Sequence, residues 1–251
     1  METIATLLEH RSIRNYKSTP IPENVLNSIL EAAIRGSNTG NMQVYSIIVT
    51  KNTEIKQKLL PAHFGQKMVL DAPVLLTFCA DFNRFNRWCE SRNATPGYDN
   101  IQSFSWAMVD AVIAAQNAAV AAESFGLGIC YLGTTTYNAD KIIEILNLPK
   151  GVVPITTLTV GYALDNPLLT DRLPLEAVIH ADTYHDYSVD DINRLYSEKE
   201  SMSSTVQLVE ENKTENLAQI FTQKRYTKTD NIHFSKVWLD VLAKQGFMNN
   251  D

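Results

Sequence analysis

Cysteine is scarce in this chain. Three occur in 251 residues, at positions 79, 89 and 130. An odd count without Cys-x-x-Cys spacing excludes a disulfide framework and a zinc ribbon. We read the three as free thiols in a reducing compartment, which places the protein in the cytoplasm. Histidine is also sparse, with five residues and no ligand spacing, so no metal site is expected. An excess of positive charge is missing too. The formal net charge is −6, which argues against a nucleic-acid partner bound through its phosphates. No long uninterrupted apolar run is present. The longest apolar stretch, residues 106–122, contains Asp110, Gln116 and Asn117, which makes it a buried helix rather than a membrane span. The opening METIATLLEH carries acid early and lacks a basic region followed by an apolar run, so no secretion leader is expected.

What remains is the composition of a folded enzyme or binding domain. Apolar residues make up 45% and charged residues 20%, near globular values, and the length suffices for a large buried core. The elements alternate. Residues 2–9 read as a short helix. Pro22 and Glu23 open a second helix reaching about Arg35. Residues 36–41 form a loop by composition. Val44 to Thr50 is a β-branched strand, followed by a helix over 53–60. The apolar run Pro73 to Ala80 reads as a central strand. Residues 104–125 form the longest helix, with a seam of alanines at 107, 111, 114, 115, 118 and 122, terminated by Gly126 and Gly128. A strand at Ile129–Leu132, a helix over 139–146 and a strand over 155–162 complete this part. Residues 188–230 are polar and read as a lid or arm, or over 197–216 as a disordered linker; the last twenty residues read as a docked helix.

The most informative segment is His10-Arg11-Ser12-Ile13-Arg14. Two guanidinium groups, an imidazole and a hydroxyl within five positions suit an anion, because arginine presents a planar fork of donors matched to phosphate oxygens. The same cluster also reads as a solvated basic face. Other short motifs follow in order: Ser46-Ile47-Ile48, Gly65-Gln66-Lys67, Cys79 to Arg84, Ala121 to Gly128, Tyr131-Leu132-Gly133, Asp165-Asn166-Pro167, Arg172-Leu173-Pro174 and Lys244-Gln245-Gly246. In that order and spacing over residues 10–174 the chain resembles the FMN-dependent nitroreductases, of the NADPH-preferring, oxygen-insensitive nitroreductase and flavin reductase group.

The resemblance implies an α+β nitroreductase fold, a central mixed β-sheet flanked by helices in three α/β/α layers, built as an intertwined homodimer. It divides the chain into an FMN-binding core at 1–187, a lid or arm at 188–230, and a closing segment at 231–251 that docks on the partner subunit. It implies FMN as cofactor, NADPH or NADH as reductant, and small-molecule acceptors such as nitroaromatics and quinones in a ping-pong reaction. A flavin reductase on the same fold and a non-catalytic FMN-binding protein stand as alternatives.

Residue by residue, the resemblance assigns His10, Ser12 and Arg172 to the FMN phosphate, with Arg11 in reserve. Arg14 goes to the flavin N1–O2 edge, where a cation stabilises the reduced, anionic ring. Gln66 goes to the uracil-like edge of the ring, and Gly133 presents backbone near N5 beside Tyr131 and Leu132. The loop Asn38-Thr39-Gly40 matches a serine-rich loop that contacts the ribityl chain or ring. No protein side chain is expected to carry the chemistry itself. Arg225, in the basic stretch 223–228, is assigned to the 2′-phosphate of NADPH. One departure stands out: relatives carry a lysine where this chain has Thr170, and Asp171 adds a negative charge beside Arg172.

Overall fold

The structure, a computed structural model, describes residues 3–249. The outermost residues of the first and last expected segments, 1–2 and 250–251, lie outside it. The chain falls into two compact units. One joins everything up to Leu168 with the segment from Phe234 onward; the other is Leu169–His233. The second unit therefore starts well before the polar stretch at 188.

The first unit opens with α1 (Thr3–Leu8) and α2 (Glu23–Ala33), and Glu23 complements the positive end of α2. Then come β1 (Tyr45–Thr50), α3 (Thr53–Ala62), α4 (Met68–Asp71), β2 (Val74–Asp81) and α5 (Asn83–Glu90). The long helix α6 (Ile101–Ser124) starts at Asn100, whose side chain accepts from Ser103 N, as an N-cap does. After it follow β3 (Gly128–Leu132), α7 (Ala139–Leu146) and β4 (Val152–Gly161).

The four strands form one sheet in the order β1-β2-β4-β3, antiparallel at every pairing. Among the described residues the parallel component is a single bridge between Ser12 and Ile129. β2 is buried along its whole length, as a central strand must be. β4 extends further back than the apolar pattern indicates, through Pro154. The register slips there, with Phe78 facing Thr156 and Cys79 facing Pro154. Proline has no N–H to give a ladder, and a bulge accommodates it.

One sheet face, with Leu76, Phe78 and Ala80, packs on α2 and on the alanines of α6; the other, with Leu75, packs on Leu59, Val69 and Ile142 from α3, α4 and α7. Helices thus cover both faces of the sheet, in three layers. The alanine seam of α6 is buried inside the chain itself, and small side chains let α2 and the sheet approach closely. A different face of α6, with Ile101, Val109 and Val112, is exposed.

Gly126, at φ 75°, closes α6 as a left-handed cap, with Leu127 N donating to Ala122 O at 3.0 Å. Gly128 has a different role. A Cβ there would lie 2.5–2.9 Å from three side-chain atoms of Ile13, so it is bare because the 10–14 segment crosses it.

The second unit contains α8 (Val189–Ser201), α9 (Ser203–Asn212), the short α10 (Leu217–Ile220) and a π turn at Phe221–Arg225. Residues 197–216 are thus mostly helical, and the disordered-linker reading of them is corrected. Ser188 and Asp191 form a reciprocal capping box that starts α8. The final helix α11 (Lys228–Gln245) belongs to the first unit from Phe234 on. Its end packs on its own chain. Val241, Leu242 and Phe247 are buried, Trp238 and Phe247 meet the ring of Phe104, and Gly151 N donates to Gln245 O at 3.0 Å. These apolar residues find their cover at the start of α6.

Gly128→Ala should destabilise the fold by about 1–3 kcal/mol, the usual result of forcing a methyl into a packed contact. Urea unfolding checks this, and an unchanged midpoint would refute the account of Gly128.

Candidate functional site

The 10–14 segment is held by two backbone anchors. Ile13 N donates to Ile129 O at 2.8 Å, and the Tyr16 hydroxyl donates to Ile13 O at 2.7 Å while meeting Thr159 Oγ1 at 2.6 Å. Ile13 and Tyr16 are buried, and Arg14 is exposed. The Arg14 charge reaches Cys130 and Tyr16: burial raises both pKa values, and the guanidinium partly opposes the rise.

His10 is fixed by Glu123 at the end of α6, Nδ1 to Oε1 at 2.6 Å. Burial raises the Glu123 carboxyl above its ordinary range, and the bond to His10 works against that. Tyr131 stands on β3, with its hydroxyl donating to Gln116 Oε1 at 3.1 Å. Burial, with the Glu123 charge adding to it, pushes its phenol up to about 12.

Arg11 does not join this group. With Ile13 it lines a cleft of about 240 Å³, together with Thr6, Glu9, Glu123 and Asn166, which His10, Ser12 and Arg14 do not line. Its Nη1 donates to Glu9 O at 2.7 Å, and its Nε is buried without a partner among the described residues. Side chains alternate along extended backbone, which sends neighbours to opposite sides.

Gln66 and Gly133 are brought together by a residue that sequence reasoning missed. His63 is fully buried; its backbone carbonyl accepts from Gln66 N at 3.1 Å and its Nδ1 meets Thr134 Oγ1 at 2.8 Å. It therefore ties the corner after α3 to the short turn Gly133–Thr135. Burial pushes the imidazole down to about 4, so it is neutral. A lone histidine in a helix-ending sequence gave no hint of this. Leu132 is buried and paired with Thr157, so only its backbone can serve a ligand. Gly133 is exposed, and a Cβ built there meets nothing within 4 Å. The neighbouring Phe64 and Gly65 both have positive φ, 54° and 71°. A bulky residue held there is strained, and such strain clusters at functional sites.

The loop at 38–40 is anchored elsewhere. Thr39 donates its N–H and its hydroxyl to Asp110 Oδ1, at 2.9 and 3.1 Å, and Asp110 is buried in the middle of α6. Asn38 Oδ1 accepts from Gln43 N at 3.1 Å. Gly40 has φ 55°, which glycine adopts freely. Glu123, which holds His10, lies thirteen residues beyond Asp110, or about 20 Å along a helix rising 1.5 Å per residue. Within one chain this loop and the 10–14 segment are therefore apart.

In the second unit, Arg172 donates through Nη1 to Thr170 Oγ1 at 2.7 Å and to the carbonyls of Asp171 at 2.9 Å and Thr170 at 3.3 Å. Arg225 closes the π turn and is exposed.

Residues 7–162 match the family described as Nitroreductase family. The chain belongs to the nitroreductase family. Its relatives include an FMN reductase (NAD(P)H) from Bacillus subtilis strain 168, 38% identical over 185 residues, 73% of this chain and 74% of that protein. An oxygen-insensitive NADPH nitroreductase from Salmonella typhimurium strain LT2 is also 38% identical, over 72% of this chain and 74% of its own length. A solved chain from Bacteroides fragilis NCTC 9343 superposes with a TM-score of 0.96 at 52% identity, covering 98% of this chain and 100% of that chain. The expected nitroreductase fold is thereby established, including the second unit, which lies beyond the family match.

The neutral state of His63 has a consequence for stability. Its folded pKa of about 4 lies below the unfolded value near 6.5. Between those values the unfolded chain binds the extra proton, so stability is full above pH 6.5 and falls as pH drops toward 4. In His63→Gln that part of the acid loss, up to about 3 kcal/mol, should disappear. Comparing urea midpoints at pH 7 and pH 4.5 checks this; equal acid losses in both proteins would disprove it.

Proposed function

We infer that this chain is an FMN-dependent oxidoreductase that takes hydride from NAD(P)H and delivers it to small-molecule acceptors, nitroaromatics or quinones. The observation that carries this reading is the exposed cation Arg14 and the His10–Glu123 pair along β3, with the open backbone at Gly133 beside Thr134, which His63 links to the backbone of Gln66, in a chain of this family. When bound, FMN supplies the two-electron chemistry.

The donor set fits that cofactor. Ser12 and His10 offer a hydroxyl and an imidazole to the phosphate end. Arg172 offers a guanidinium held by hydrogen bonds within its own loop. Arg14 supplies fixed positive charge for a ring that becomes negative on reduction. At Gly133 no side chain blocks the approach of a planar ring, and Gln66 brings an amide with both donors and an acceptor. Tyr131 and Leu132 contribute strand backbone. Arg11 is a reserve cation on the other side of the segment.

A second reading, a flavin reductase releasing reduced flavin, is favoured by the FMN reductase among the relatives, as similar to this chain as the nitroreductase is.

We also propose that the enzyme is a homodimer. The distance along α6 between the anchors of the 38–40 loop and of His10 supports a site in which Asn38, Thr39 and Gly40 come from the partner. The exposed apolar residues Val109 and Val112 of α6 offer a surface for it. Sedimentation analysis should give twice the chain mass. The free thiols, two of them buried, suit the cytoplasm.

Purified protein should be yellow and contain FMN. Anaerobic NADPH should bleach its visible band, and a nitroaromatic or quinone should restore it; a band that NADPH leaves intact would leave only the binding-protein reading. Arg14→Ala should lower the flavin potential and slow reduction, and an unchanged potential at full occupancy would remove Arg14 from this role.

Arg225→Ala should raise KM for NADPH about ten-fold and spare NADH, as expected for one charge-assisted contact of roughly 1.5–3 kcal/mol. Equal effects on both nucleotides would mean that Arg225 does not read the 2′-phosphate.

A further inference from the structure

The loop 170–172 has a charge problem and a local solution to it. Asp171 sits directly between Thr170 and Arg172. Left alone, Asp171 would cancel the charge of Arg172, and a loop of zero net charge is a poor seat for a dianionic phosphate. The structure supplies a third charge from far along the sequence. Lys199, in the last turn of α8, reaches Asp171, Nζ to Oδ2 at 2.5 Å, with both side chains about three-quarters buried (28% and 26% exposed). The hydrogen bond to Lys199 is the first cause holding the Asp171 carboxyl below its ordinary range.

The pair is placed rather than casual. Lys199's own carbonyl accepts from Thr205 Oγ1 at 2.7 Å, which pins the end of α8 to the start of α9. On the same helix Arg194 pairs with Glu176 and Asp191. Thr170 meanwhile accepts from Arg172 and fixes its direction. With Lys199 the set Asp171, Arg172, Lys199 carries one net positive charge; without it, none.

We propose that Lys199 is a positioning residue for the cofactor phosphate. By neutralising Asp171 it leaves the positive charge of Arg172 uncancelled, and it makes FMN retention depend on α8. This rests on the reading of Arg172 as a phosphate ligand. Riboflavin has the same ring and ribityl chain without the phosphate, so the ratio of FMN to riboflavin affinity isolates the effect.

The experiment uses full-length protein stripped of flavin by dialysis and titrated with FMN and with riboflavin, following fluorescence quenching. Lys199→Met should weaken FMN about ten-fold and leave riboflavin unchanged. Lys199→Arg should keep wild-type FMN affinity. Adding Asp171→Asn to Lys199→Met should restore FMN binding, because the uncompensated carboxylate is then gone. Rescue by that second change separates charge compensation from mere bracing of α8. An unaltered ratio in Lys199→Met, equal weakening of both flavins, or no recovery in the double variant would overturn the proposal. Arg172→Ala distinguishes the two levels. If it lowers the ratio while Lys199→Met does not, only the role of Lys199 falls; if it leaves the ratio unchanged, the phosphate assignment of Arg172 falls, and the role of Lys199 with it.

Discussion

The hydrogen bond from Ile13 N to Ile129 O is the contact on which the rest of the site depends. It lays the 10–14 segment along β3, one parallel step in an otherwise antiparallel sheet. Ile13 can enter the core only because Gly128 has no side chain where it crosses. Burial of Ile13 inward then turns Ser12 and Arg14 to one side and Arg11 to the other. The same strand carries Tyr131, Leu132 and, at its end, Gly133. One strand therefore sets the spacing between a cationic segment and an open stretch of backbone.

Helix α6 provides the second constraint. Its alanines let α2 and the sheet close around it, and two acidic side chains interrupt the apolar surface. Neither is a stray charge. Asp110 receives two hydrogen bonds from Thr39, and Glu123 is hydrogen-bonded to His10. A carboxylate held in apolar surroundings is costly unless it is bonded, so each fixes its partner loop firmly. The distance between the two anchors keeps those loops apart in one chain, which is the physical reason we propose a site shared by two. In the second unit the same logic recurs on a smaller scale, where Lys199 makes Asp171 tolerable beside Arg172.

Much of the element order was legible. Turn residues, the β-branched run at 44–50, the apolar run at 73–80 and the alanine spacing of the long helix each mark a local preference, and the structure follows them. The misreadings have local causes. The strand through Pro154 was cut short because a bulge is invisible in an apolar pattern. Residues 197–216 looked like linker because their helices bury few residues, with Thr205 the buried residue of α9. Gly128 looked like a cap because a glycine bare for packing reads the same as one bare for φ.

The sequence by itself determined which side chains are available: the cationic pentapeptide, the glycines at 65 and 133, the family pattern and the absence of a lysine at 170. Such features are local, or repeat in fixed order, and a linear reading finds them. Only the tertiary structure decided which of them meet. His63 with Thr134, His10 with Glu123, Thr39 with Asp110, Arg11 with its own cleft and Lys199 with Asp171 are all pairings across the fold. Apart from Lys199 with Asp171, 28 residues apart, the side-chain pairs join residues separated by 71 or more positions. Contacts of that kind follow from how the sheet and α6 bury their apolar faces, and a side chain's own sequence neighbourhood carries no trace of them.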